Sequence, residues 1–527
     1  MKLNQIRITF KDIKFLIPYG IIAVIAFIFN FWTGTRGVFP IDTFLHYDSA
    51  YKILTGEKPI RDFWIIHGIT LDYIQGLFFL LFGVNWISYL IHSSLFNSVI
   101  VLIFFKLLRS LNLNLYYSLT ICLCFATLTY PISGVPFIDH HSSFLSLISL
   151  LIFYFAISNK NYQSIIFIPI LLGLAFLSKP VPASYIAIIF IAIFFIYFFS
   201  EKEFKPFLYL FLGGISFLIF LVIFLNTQDI SLKSFINQLI LYPLSIGGQR
   251  TGFISEALNN RFFNYKFVYL LILYIIFMII VKKNFLKFTK EKIVLFFLVI
   301  FFSFFMIIHQ ILTKNQNFIF FLIPLNIGLI IYLNNKINFK GNSIINFLFL
   351  IICIILTFKY NERFNYERKF HDLQSVKLEN AVEASSIDDS LYPLKWITTN
   401  YKNPYEEIKI IKELIEDIDK SEKNILLISN YNFIDSVTKK KIFSVVKNFD
   451  PVSIPREENK FYENFKIHFK ELVTKKKIQE ILIFLPSIND SKSGIDIKKI
   501  ISEFLIKDCF NYYEEPQLSL IKIKLKC

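Results

Sequence analysis

The chain is 527 residues long, 55% hydrophobic and rich in phenylalanine, with 64 of them and a mean hydropathy of +0.55. These values lie outside the range of soluble globular domains and exclude a cytosolic enzyme. The formal net charge of +16 is unevenly placed: from Tyr360 onward 28 basic residues face 27 acidic ones, so the first part carries 27 against 12. A basic surplus among apolar runs reads as topology and lipid contact, not nucleic-acid binding.

The first fourteen residues are short and basic (Lys2, Arg7, Lys11, Lys14) and the apolar run 15–32 follows without a small-residue cleavage site, which predicts an uncleaved signal anchor. Further apolar runs long enough to span a bilayer fall at about 86–108, 115–131, 141–158, 163–178, 183–199, 206–226, 266–281, 293–311, 318–334 and 343–358, giving eleven predicted spans. With the N-terminus cytoplasmic, the inner loops collect 16 basic residues against four acids, and the opposite face, tail excluded, 11 against eight. An odd number of spans places the tail outside. Residue usage weighted to Lys, Ile, Asn and Phe fits an AT-rich bacterial genome, so the expected location is a bacterial inner membrane with the tail periplasmic or extracellular.

The fold expected is an all-α polytopic membrane domain over 1–359 and a soluble α/β domain over 360–527, where charged helices alternate with short apolar strands such as NILLIS, EILIFL and LSLIKIKL. Between the first two spans, the loop 33–85 gathers Asp42, His46, Asp48, Asp62, His67 and Asp72 among aromatic residues. Acids and imidazoles beside a membrane carry a desolvation cost unless partnered or functional, so this loop is a candidate site. Within it, 69–82 is too short for a span and carries Asp72 and Gln75, which predicts a helix lying at the interface. The outer face also collects Asp139, His140 and His141, Lys179 in FLSKPVP, Arg250 in GGQR, and Lys314 with Gln316 in TKNQNF. His140 and His141 are open to metal ligation or substrate contact, though adjacent histidines diverge on a helix. Asp62 is open to pairing with Arg61 or Lys58, or to contact with substrate. Cys122, Cys124 and Cys353 fall in spans; Cys509 and Cys527 fall in the tail, where an oxidising compartment permits a bridge.

The order of an Asp soon after the first span, the stretch Pro59-Ile-Arg61-Asp62-Phe-Trp64, the helix end Leu81-Phe82-Gly83, the segment GLAFLSKP and the late TKNQNFIFFLIPL resembles membrane glycosyltransferases of the GT-C class. Among these it is most similar to the bacterial protein O-mannosyltransferase and aminoarabinose-transferase group, although the acidic pair usual there reads Asp42-Thr43 in this chain. The resemblance covers roughly residues 1–360. It implies transfer of a sugar from a polyprenyl-phosphate donor to a glycan, lipid or protein hydroxyl on the outer face, with inversion. Asp42 then takes the place of the general base, with Asp48 second. Lys179, Arg250 and Lys314 are nominated for the donor phosphate, and Gln316, Asp62, His67, His140 and His141 for substrate contact. No cofactor is implied, and a divalent metal is left open. A polyprenyl-pyrophosphate ligase or polymerase would also call for external cations. A transporter or flippase would call for internal repeats and mid-membrane helix breaks, which the sequence does not display.

Overall fold

The computed structural model describes residues 10–251, 262–281, 288–313, 318–337, 341–450, 453–484, 504, 510–515 and 520–526. Among these, ten helices are long and apolar enough to cross a bilayer, the first Leu16–Gly34 and the last Asn342–His371. Ile138–Ser158 and Ile319–Ile337 are the most enclosed of the ten, whereas Lys205–Thr227 turns most of its surface outward.

The predicted count of eleven is corrected at 163–178. That stretch opens with a 3₁₀ turn, Tyr162–Ile166, and only Phe167–Ser178 is α-helical, with Lys179 extended beyond it. Twelve residues at 1.5 Å each rise about 18 Å, short of the hydrocarbon thickness of about 30 Å. The interfacial stretch is a helix with the expected bounds, Ile69–Phe82; Asp72, Gln75 and Phe79 are buried and Leu77, Leu80 and Leu81 exposed.

After Asn361 the chain leaves the last long helix and builds a four-stranded sheet in the spatial order Ile425–Ser429, Glu480–Phe484, Leu520–Leu525, Phe510–Glu515. The first two strands run parallel and the other pairings are antiparallel. The described residues of NILLIS, EILIFL and LSLIKIKL therefore supply strands, as their apolar β-branched character predicts. Helices Pro404–Lys420 and Tyr462–Lys475 accompany them.

The tail and the first loop are built into each other. The Gly37 and Val38 amides donate to the carbonyls of Lys395 and Ile397 at 2.9 and 3.1 Å, and the Lys395 amide donates to Thr35 at 2.8 Å. Farther on, the Trp64 amide donates to Val445 at 2.7 Å and the Lys447 amide donates back to Trp64 at 2.9 Å. One apolar core mixes Val38, Phe44, Tyr47 and Trp86 with Trp396, Ile411, Leu414 and Phe433. Arg368, fully buried, reaches the carbonyls of Arg36 (3.0 Å) and Ser133 (2.8 Å), tying the segment after the last long helix to the first loop and to the turn at 130–134.

Two glycines let the first helix end against the turn at 130–134. A Cβ on Gly34 would stand 2.4 Å from the Gly134 carbonyl oxygen, and Gly134 has φ +74° with the Gly34 Cα 2.7 Å from where its own Cβ would be. Small residues at such crossings let backbones touch inside a membrane. Gly134→Ala is expected to lower stability by about 1–3 kcal/mol from backbone strain alone. Gly20→Ala, where nothing lies within 4 Å of a new Cβ, is expected to be neutral. Thermal midpoints of the two variants in detergent check the contrast.

Candidate active site

Asp42 sits on a single helical turn, Pro40–Thr43, which opens with proline at its first position and has no side-chain cap at its start. The turn is anchored from both sides. The Phe39 amide donates to Thr43 Oγ1 at 2.9 Å, Thr43 Oγ1 meets His371 Nδ1 at 3.3 Å, and His371 Nε2 donates to the Ser133 carbonyl at 2.8 Å. Asp42 itself is half-buried, and its carboxylate makes no hydrogen bond or ion pair with a described residue. Burial, with Asp450, Asp139 and Asp372 nearby and only Lys179 opposing them, pushes its pKa up to about 7.

The other loop acids have partners. Asp72, fully buried, accepts from Lys447 Nζ at 2.5 and 2.7 Å and from His46 Nδ1 at 2.7 Å. Burial works against both charges of that pair, pushing Asp72 up and Lys447 down, while their contact opposes both shifts. His46 is left with a buried Nε2 that has no hydrogen bond, and burial with Lys447 beside it holds its pKa well below the ordinary histidine value. Asp48 pairs with Lys52 one helical turn on at 2.6 Å, and Lys52 also donates to Ser444 Oγ of the tail. The cleft around Asp48, with Ser429, Asn432 and Asp435, encloses about 20 Å³, room for one water. Asp62 accepts from Arg61 Nη2 at 2.6 Å and from the Lys58 amide at 2.9 Å, the pairing its neighbours predicted.

Lys179 meets both carboxylate oxygens of Asp139, at 2.7 and 2.8 Å, and His309 Nε2 meets Oδ1 of the same group at 2.8 Å. The lysine is thus placed by an acid already in hand, while its side chain keeps 16% exposure. His67 lies half-buried between the two clusters with its Nδ1 unbonded. Burial first, then Lys447 and Lys179, depress its pKa well below the ordinary value. The Gly68 amide donates to the Ser178 carbonyl at 2.9 Å, stitching this segment of the first loop to the helix end at Lys179.

His140 and His141 are fully buried. The His140 ring is walled by Tyr130, Phe137, Phe144, Phe318 and Phe370. His141 belongs to a chain running through the bundle. Gln75 Oε1 can only accept, so His92 donates to it from Nδ1 at 2.9 Å, His141 donates to His92 Nε2 at 3.0 Å, and the Tyr130 hydroxyl donates to His141 Nδ1. A substrate would reach either histidine only by displacing these neighbours. Among the described residues no three His, Cys, Asp or Glu side chains gather as a metal cluster. Arg250 falls on the helix Tyr242–Thr251. Lys314, Gln316, Cys509 and Cys527 lie outside the described residues, and Cys122, Cys124 and Cys353 are buried free thiols.

The structure therefore brings Asp42, Lys179 and His67 into one neighbourhood and sets Asp48 and Asp62 into ion pairs of their own. Lys447 and His309 complete that neighbourhood and were not singled out from sequence. A histidine within MIIHQIL was a legible signal, being a polar group inside a span. Lys447 was not, since it is one of 28 basic residues in a charged tail.

By length and composition its ten long helices make this chain a multi-pass membrane protein. The sequence matches no family model and no curated protein.

Two outcomes follow from the buried acids. Lys447→Met leaves Asp72 buried without its cation and is expected to cost about 3–5 kcal/mol in detergent unfolding, most of it recovered by adding Asp72→Asn. Asp42 binds its proton more tightly folded than unfolded, so its contribution to stability is present below the ordinary carboxylate value of 3.8 and is lost as pH rises toward 7. Asp42→Asn is therefore expected to be more stable than wild type at pH 8, the difference closing by pH 4 in paired melting curves.

Proposed function

We propose that the protein is a membrane glycosyltransferase that moves a sugar from a polyprenyl-phosphate donor to an acceptor hydroxyl on the non-cytoplasmic face, with Asp42 as general base. The observation that supports this reading is the Asp42 carboxylate: half-buried, held on an anchored turn, unpartnered, and raised to about 7. A base poised near the working pH removes a proton most effectively in the transition state. In the proposed reaction the acceptor hydroxyl gives its proton to Asp42 and its oxygen bonds the anomeric carbon. The bond from that carbon to the phosphate oxygen breaks with its electron pair on the phosphate, inverting the centre.

Lys179 is suited to the departing phosphate because Asp139 and His309 fix its position while part of the side chain stays open. Asp48 is the weaker candidate, since Lys52 already holds it. The tail, paired strand-wise to the first loop, is placed to roof this neighbourhood, and the acceptor in this reading is a glycan, lipid or protein hydroxyl.

The test is label transfer from a panel of radiolabelled polyprenyl-phosphate sugars by the protein in liposomes. Asp42→Asn is expected to lose about 10²–10⁴-fold in rate while keeping its fold and donor binding. The wild-type rate is expected to rise with pH through about 7 as Asp42 deprotonates. Asp48→Asn is expected to keep its transfer. Equal transfer by Asp42→Asn and wild type overturns the assignment of the base; no release of polyprenyl phosphate from any donor overturns the transferase reading.

A further inference from the structure

Lys58, Arg61, Lys441, Lys475 and Lys476 come together where the first loop meets the end of tail helix Tyr462–Lys475. Lys475 Nζ lies 3.4 Å from Asp62, and Lys441 lies 3.5 Å from Glu57 and donates to the Thr55 carbonyl at 3.0 Å. Lys476 is close enough for its charge to act on both acids. Glu57 and Asp62 are buried, and Asp229 adds an exposed acid 3.4 Å from Arg61. Lys233 stands exposed on the same connection as Asp229. Five cations thus gather around three carboxylates, and Lys233 adds a sixth on the chain just beyond Asp229.

The height of this cluster relative to a bilayer is fixed by the helix beneath it. Lys58 Nζ donates at 3.3 Å to the carbonyl of Thr227, the last residue of Lys205–Thr227. That helix exposes Leu218, Ile219, Phe220, Val222 and Ile223 along its final turns. Hydrocarbon that covers those side chains ends just below Thr227, so the cations stand at headgroup level. Leu232 and Leu244, each at least 60% exposed, lie on the chain that follows and offer an apolar footing at the same depth.

We infer that this face docks the headgroups of anionic phospholipids of the surrounding bilayer. A cation near such a surface is attracted to it and the attraction falls within a Debye length, so the preference is salt-sensitive. Anionic lipid held there would clamp the tail helix and the first loop to the same membrane surface. The inference rests on charge and depth, not on the enzymatic reading.

The experiment uses the full chain in mild detergent, with phosphatidylglycerol and phosphatidylcholine offered in equal amounts and retained lipid counted by native mass spectrometry. Wild type is expected to favour phosphatidylglycerol by about tenfold at low salt. The variant Lys58→Gln/Lys233→Gln/Lys475→Gln/Lys476→Gln, which leaves Arg61 to hold Asp62, is expected to fall to within about twofold. If that variant does not fold, the exposed pair Lys233→Gln/Lys475→Gln is expected to lose about half the preference on a logarithmic scale. Lys290→Gln/Lys292→Gln, in the first turn of the helix Lys290–Thr313, is expected to keep it. An unchanged preference in the lysine variants overturns the inference, as does an equal loss in the control. Displacement of phosphatidylglycerol by equimolar polyprenyl phosphate also overturns it, because the surface would then serve the donor.

Discussion

The contact between Lys447 and Asp72 joins the two halves of the molecule at a point neither could tolerate alone. Asp72 lies on a short apolar helix of the first loop and Lys447 in the tail, and both are buried. A lone charge in that position would be costly, so each half supplies the counter-charge that makes the other half's burial acceptable. Around this pair the rest follows: the backbone of 445–447 aligns on Trp64, His46 turns to Asp72, and Gly68 admits the lysine because it has no side chain. With φ at +93° and Lys447 Nζ 2.5 Å from where a Cβ would stand, Gly68 satisfies a backbone and a packing demand together.

Seen from this pair, the acids sort themselves by what lies within reach. Asp48 has a lysine one helical turn away, Asp62 has Arg61 as its chain neighbour, and Asp139 has a lysine 40 residues on that the 178–180 turn delivers. Asp42 has none of these. His46, four residues later, lies beyond the break at Phe44 and faces Asp72. The one loop acid without a partner among the described residues is also one whose pKa burial raises to about 7.

Much of the architecture was legible because it depends on local pattern. Apolar runs fixed ten of the long helices, and β-branched runs fixed three strands of the tail sheet. The run at 163–178 was misleading because hydropathy does not register a 3₁₀ entry, and Lys179 ends the helix early. Asp42 and Lys179 could be nominated from their positions at span ends. What they touch could not: Asp139 with His309 and Asp72 with Lys447 are separated by 170 and 375 residues, and no periodicity spans such distances. The reverse error was also open, since His140 and His141 look reactive in sequence, yet the fold walls one in with aromatic rings and hydrogen-bonds the other on both sides.

The long separations bear on how the protein is made. The first loop leaves the ribosome early, but its backbone partners near Lys395 and Val445 and its buried lysine are synthesised much later. At 5–20 residues per second, 375 residues take roughly twenty seconds to more than a minute. During that interval Asp72 lacks its lysine, Trp64 its backbone partners, and Phe44 its packing against Trp396 and Phe433. The final fold of the membrane part must therefore wait for the tail to reach the same side, which makes docking of the tail, rather than insertion of the last helix, the closing step for the first loop.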